Sequence, residues 1–215
     1  MEVKQNNLIN SLRIQPLIIV IRLDCDFFNI PNKKDKLFSK INKLSNCGIK
    51  NIEIGWNSHP KWVNLVYEIK NNFKLINIGA ASVSSIQALD SIAPLNLNYS
   101  MSPFFNKEMH LKAIRYNQLV IPGISNIENF KEAINLGYKI IKIFPASKLG
   151  IEFLNKLKNF EEKDIFLIGA GGIKSEDLKK FISHGYNALA IGKELSNKIP
   201  DKNLDCFLKI SEKKL

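Results

Sequence analysis

At 215 residues the chain is long enough to bury one sizeable core, and no shift in composition divides it, so residues 1–215 read as a single domain. Its net charge of +11 comes from lysines spread along the chain, not from a basic block interleaved with aromatics, which argues against nucleic acid and leaves a surface able to steer small anions. Three distant cysteines (Cys25, Cys47, Cys206), three histidines without ligand spacing (His59, His110, His184), no apolar run near ~20 residues and no signal-peptide pattern argue against disulfides, metal and membrane, and for the cytoplasm.

Residues 8–12 read as a short amphipathic helix, and 17–22 (L-I-I-V-I-R) as an apolar strand ending in a charge. Residues 33–46 place Leu37, Phe38, Ile41 and Leu44 at helical spacing before the stop signal at Cys47 and Gly48. The strand at 49–54 carries Glu53, and the helix after it presents Trp62, Leu65, Val66 and Ile69 on one face. Strand 75–78 runs into Gly79-Ala80-Ala81-Ser82 before a helix at 84–89. Strand 96–99 leads to Ser102-Pro103 and helix 106–115, and strand 119–121 to Pro122-Gly123 and helix 126–136. Strand 138–144 carries Lys142 and precedes helix 151–158. Strand 165–168 ends in Gly169-Ala170-Gly171-Gly172, with helix 175–183 capped by Ser175. Strand 188–191 reaches Gly192, and 203–213 forms a terminal helix.

Eight short, nearly all-apolar strands, each followed by a helix, imply a parallel sheet covered on both faces. That count and size predict an α/β fold, a (β/α)8 TIM barrel with a short N-terminal helix. An open doubly wound sheet would carry its glycine-rich loop after the first strand. Here the glycines follow the seventh and eighth.

In a barrel, the strand ends would converge Arg22, Glu53, Asn57, Ser82, Ser102, Lys142 and the backbone of Gly171, Gly172, Gly192 and Lys193 on one mouth. Lys142 and Glu53 are each flanked by isoleucines, and a buried charge without a partner or a task is costly. A desolvated lysine is a neutral amine able to attack a carbonyl, and a carboxylate can move the protons of Schiff-base aldol chemistry. The competing readings are a snorkelling lysine or a buried Lys–Glu ion pair. The glycines after the last two strands make either tight turns or a phosphate cup.

Six segments fall in order: N-I-E-I-G-W-N-S (51–58), G-A-A-S-V (79–83), S-P (102–103), I-P-G-I-S (121–125), K-I-F-P-A-S (142–147) and G-A-G-G-I (169–173). Together they resemble the 2-dehydro-3-deoxy-6-phosphogluconate and 4-hydroxy-2-oxoglutarate aldolases, class I pyruvate aldolases. The resemblance implies Lys142 as the Schiff-base lysine, Glu53 as general acid/base, Ser82 at the pyruvate carboxylate, no metal or organic cofactor, and a homotrimer. The gluconate branch has an arginine where this chain has Asn57. The 2-dehydro-3-deoxy-6-phosphogalactonate branch is more similar there and implies Arg22 as the carboxylate holder. Ala170 replaces a threonine that contacts substrate hydroxyls, and Lys193-Glu194 replaces small residues of the phosphate loop. On this resemblance Ser102, Pro103 and Phe144 pack around the pyruvyl group, and Gly171, Gly172, Gly192 and Lys193 bind phosphate. The expected partner is a phosphorylated keto-acid or pyruvate. The alternatives are a 4-hydroxy-2-oxoglutarate aldolase, a phosphosugar isomerase on the same barrel and a non-catalytic phosphate-ligand barrel.

Overall fold

A computed structural model describes residues 1–158 and 164–192. Nine parallel strand segments alternate with helices among these residues. They are β1 Leu17–Ile21, β2 Asn51–Gly55, β3 Asn77–Ala81, β4 Tyr99–Met101, β5 Val120–Ile121, β6 Gly123–Ile124, β7 Ile140–Ile143, β8 Phe166–Ala170 and β9 Ala188–Ile191. Almost every strand residue is buried, because a parallel sheet lined by helices outside and side chains inside has no wet face.

The order β5-β4-β3-β2-β1-β9-β8-β7-β6 has at its two ends the two halves of a single chain segment interrupted by Pro122. β5 pairs with β4, whereas β6 pairs with β7, so the ring closes through that segment as an eight-stranded barrel. Proline has no N–H for the ladder, which accounts for the break. The Pro122 carbonyl nevertheless accepts from Lys142 N at 3.0 Å. Ser102 Oγ spans the gap, donating to the Ile121 carbonyl at 3.3 Å and accepting from Gly123 N at 3.2 Å.

The helices are α1 Glu2–Ile14, α2 Lys33–Asn46, α3 Trp62–Asn72, α4 Ile86–Ile92, α5 Lys107–Arg115, α6 Ile127–Asn135, α7 Ala146–Lys158, interrupted at Gly150, and α8 Leu178–Ser183. α4, α5 and α6 start at side-chain caps, in which Ser85, Asn106 and Asn126 accept the amides of Ala88, Met109 and Asn129. Ser175, expected as a cap, instead opens a 3-10 turn, Ser175–Asp177, ahead of α8. The strand expected from residue 75 starts at Asn77, and Leu75 is 85% exposed. The expected helix at 203–213 lies outside the described residues. No helix among them is long and apolar enough to cross a membrane.

The N-terminal helix is longer than the 8–12 expected and closes the floor of the barrel. Gln15 donates to the Gly48 carbonyl at 2.9 Å and accepts from Lys50 N at 2.8 Å, just before β2. Gln5 does the same with Gly137 and Lys139, just before β7. Ser11 donates to Asn51 Oδ1 and accepts from Asn77 Nδ2, both at 3.0 Å, at the starts of β2 and β3. Leu8, Ile9 and Leu12 fill the space between these bonds. With the floor sealed, the open end is the one bearing the C-terminal strand ends.

Candidate active site at the barrel mouth

At that end a cavity of about 310 Å³ is lined by Arg22, Glu53, Ser82, Pro103, Lys142, Phe144, Ala170, Gly171, Gly172 and Gly192, which brings together ten of the residues singled out in the sequence. Glu53 and Lys142 project inward from β2 and β7, are 2% and 6% exposed, and line the same space. Neither side chain has a hydrogen-bond or ion-pair partner among the described residues, and Glu53 Oε1 is buried without one. The ion-pair reading of these two groups therefore finds no support in the geometry. The Lys142 ammonium instead sits 4.9 Å from the centre of the Phe144 ring.

Electrostatics follow from this burial. Desolvation pushes the Glu53 carboxyl up to about 8, against the pull of Lys142 and Arg22. Desolvation brings the Lys142 ammonium down to about 8, helped by Arg22 and opposed by Glu53. The two titrate as a pair. Near neutrality the site thus holds a lysine ready to lose its proton beside a carboxyl able to take or give one.

Arg22, just past β1, donates to Ser82 Oγ at 3.2 Å, and Ser82 follows β3 with a φ of 62°, the left-handed region. The pair joins a guanidinium and a hydroxyl on one wall, a donor set that suits a carboxylate. On the opposite wall Gly171 and Gly172 have φ of 88° and 72°. A Cβ on Gly171 would lie 2.8 Å from the Phe144 ring, and one on Gly172 would lie 2.0 Å from Ser147 Oγ. Only glycine fits this turn, which exposes main chain to the cavity.

Two expected residues face elsewhere. Ser102 is fully buried in the barrel wall, where it bridges the Pro122 break and lies 3.3 Å from His110 Nε2. His110 is held in turn by the Tyr138 hydroxyl at 2.8 Å, and burial lowers its pKa to about 4, so it stays neutral. Asn57 accepts from the His59 amide at 2.8 Å and caps its own loop instead of lining the cavity. Lys193 lies outside the described residues. The sequence reading missed Val20, Ala81, Met101, Ile173, Lys174, Ala190 and Ile191, which complete the lining. Strand parity relative to Glu53 could have found Val20, since Val20 and Glu53 are register partners.

Comparisons with known proteins point to one family. The family model described as "Aldolase: KDPG and KHG aldolase" matches residues 8–207. A 2-dehydro-3-deoxy-6-phosphogalactonate aldolase of Escherichia coli (strain K12) is 26% identical over 163 residues, covering 75% of this chain and 78% of that protein. A solved structure described as native KDPGal superposes with a TM-score of 0.73 at 24% identity, over 92% of this chain and 93% of that one. A KDPG aldolase from Legionella pneumophila, captured with pyruvate as a covalent carbinolamine, has a TM-score of 0.73 at 19% identity, over 95% and 94% of the two chains. The chain belongs to the family of KDPG and KHG aldolases, carbon–carbon lyases built on the TIM barrel.

Proposed function

We propose that the protein is a class I aldolase that cleaves a 2-keto-3-deoxy-6-phospho-sugar acid to pyruvate and glyceraldehyde 3-phosphate, or joins them in reverse. The observation that carries this reading is the pair of buried, unpartnered groups Lys142 and Glu53 in one cavity. The neutral Lys142 amine adds to the C2 carbonyl, and Glu53 delivers the proton with which the carbinolamine loses water to an iminium. The Glu53 carboxylate then takes the C4 hydroxyl proton. The C3–C4 bond breaks, its electrons pass into the iminium to give an enamine, and the aldehyde departs. Protonation at C3 and hydrolysis release pyruvate and restore the amine. Arg22 and Ser82 seat the carboxylate, while Pro103 and Phe144 pack against the pyruvyl carbons. The main chain of Gly171 and Gly172, with Gly192 and Lys193, takes the phosphate. The name of the E. coli relative supports a phosphorylated sugar acid.

The test is intact-protein and peptide mass spectrometry after incubation with pyruvate and borohydride. A reduced pyruvyl adduct on Lys142 is expected, and folded protein that forms none overturns the reading. A second reading, cleavage of 4-hydroxy-2-oxoglutarate to pyruvate and glyoxylate, is favoured by Ala170, which offers substrate hydroxyls no side-chain donor. Inorganic phosphate competing with substrate separates the two, since the diacid needs no phosphate cup. The setting proposed is a cytoplasmic homotrimer of one barrel domain, and sedimentation equilibrium tests its stoichiometry.

A further inference from the structure

Glu53 Oε1 and the Tyr99 hydroxyl are both buried without a hydrogen-bond partner among the described residues. They lie on one row of the sheet, because Glu53 on β2 is the register partner of Gly79 on β3, and Gly79 is the register partner of Tyr99 on β4. Register partners in a parallel sheet point to the same side, and Glu53 points inward, so Tyr99 does too. Gly79 leaves the space between them open. A Cβ there would lie 2.8 Å from Tyr99 Cε2 and Cζ, so the hydroxyl-bearing end of the ring lies across the strand that separates it from Glu53. Two polar atoms orphaned on one row of the sheet, with a glycine cleared between them, are costly unless they serve each other.

We propose that Tyr99 is a positioning residue for Glu53, its hydroxyl donating to the carboxylate through one buried water and stabilising the charged form. The proposal rests on Glu53 as the proton-transfer group. Glu53 is faced by Lys142 from β7, by Arg22 from the end of β1 and by Tyr99 from β4. The two cations favour the carboxylate from other strands of the barrel, whereas Tyr99 lies on the same register row. Burial, with the Glu53 charge adding, raises the Tyr99 phenol well above its usual range, so it remains a donor throughout the working pH.

Tyr99→Phe keeps the ring over Gly79 and removes only the donor. NMR titration of protein carrying 13C-carboxyl glutamate, with Glu53→Gln used to assign the resonance, is expected to show the Glu53 midpoint moving up by about one pH unit. The pH profile of kcat should move the same way and kcat near neutrality should fall about tenfold, while the KM for substrate stays as in the wild type. An unchanged Glu53 midpoint overturns the proposal. So does a rise in Tm for the variant, which would mark the wild-type hydroxyl as orphaned. Should the variant not fold, a high-resolution crystal structure of the wild type decides. One water within about 2.5–3.0 Å of both the Tyr99 hydroxyl and the Glu53 carboxyl is expected, and its absence overturns the proposal. Failure of the functional reading looks different: Glu53→Gln would then retain turnover whatever Tyr99 does.

Discussion

Replacing Glu53 with glutamine should move two observables in opposite directions. Lys142 titrates near 8 instead of its ordinary 10.5, so at pH 7 about one amine in ten is neutral, roughly a 300-fold gain over an unperturbed lysine. Glu53 opposes that gain, because its negative charge favours the ammonium. Glutamine fills the same volume without the charge. The midpoint for trapping pyruvate on Lys142 with borohydride should therefore shift below 8, and adduct should form more readily at neutral pH. Turnover should nevertheless fall by about 10²–10⁴, the typical contribution of a positioned acid/base group. Mass spectrometry of trapped protein across the pH range gives the first quantity, and pyruvate release coupled to a dehydrogenase gives the second. An upward shift of the trapping midpoint would refute the electrostatic assignment. Turnover within a few-fold of wild type would refute the proton-transfer role.

Lys142→Met should stabilise the protein at neutral pH. The folded state holds Lys142 near 8 and the unfolded state near 10.5, so the unfolded chain binds more protons between those values and stability rises with pH across them. Below pH 8 the ammonium costs the fold about 3 kcal/mol, so methionine should raise Tm by roughly 6–12 °C at pH 7, with the gain fading by pH 10.5. Melting curves at the two pH values check this, and a lower Tm at pH 7 contradicts it. Arg22→Gln removes the cation beside Ser82 and should raise the KM for pyruvate in the synthetic direction about 10–100-fold. It should also move the Lys142 trapping midpoint upward, since Arg22 helps discharge that lysine. Ser102→Ala strands the Gly123 amide inside the wall, while the Ile121 carbonyl keeps the main-chain N–H of position 102, and should cost about 1–3 kcal/mol in urea unfolding. KM should not change. A large KM change with full stability would instead place Ser102 at the substrate.

The two groups that carry the chemistry were readable because each breaks an isoleucine run, and a lone charge in such a run stands out at any register. Helix Lys33–Asn46 was readable for the opposite reason, since its leucines and isoleucine keep an unbroken helical spacing. The break at Pro122 was not. A proline ends a ladder on one side only, and the chain goes on to pair with β7 through Gly123 and Ile124. The orientation of Ser102 depends on that break, so the sequence placed it at the mouth when it patches the wall. Asn57 was placed by its neighbours in a motif, and its amide serves the turn it sits in. The first turns of α1 were missed because Gln5 is buried with its amide bonded to main chain, which hydropathy reads as surface. Tyr99 needed the register of three neighbouring strands before it could be related to Glu53, whereas Val20 needed only that of two.

The floor helix also sets an order of events during synthesis. Gln5 bonds the main chain at Gly137 and Lys139, more than 130 positions downstream, and Leu8, Ile9 and Leu12 are covered only when that end of the barrel is built. A ribosome adding about 5–20 residues per second needs on the order of ten seconds to make that stretch. Throughout that interval the apolar stripe of α1 lacks the β7 side of its dock, and a chaperone or another nascent chain can occupy it. α1 is therefore made long before it can reach its final place, and the emerging chain is most exposed to association before residue 139 appears.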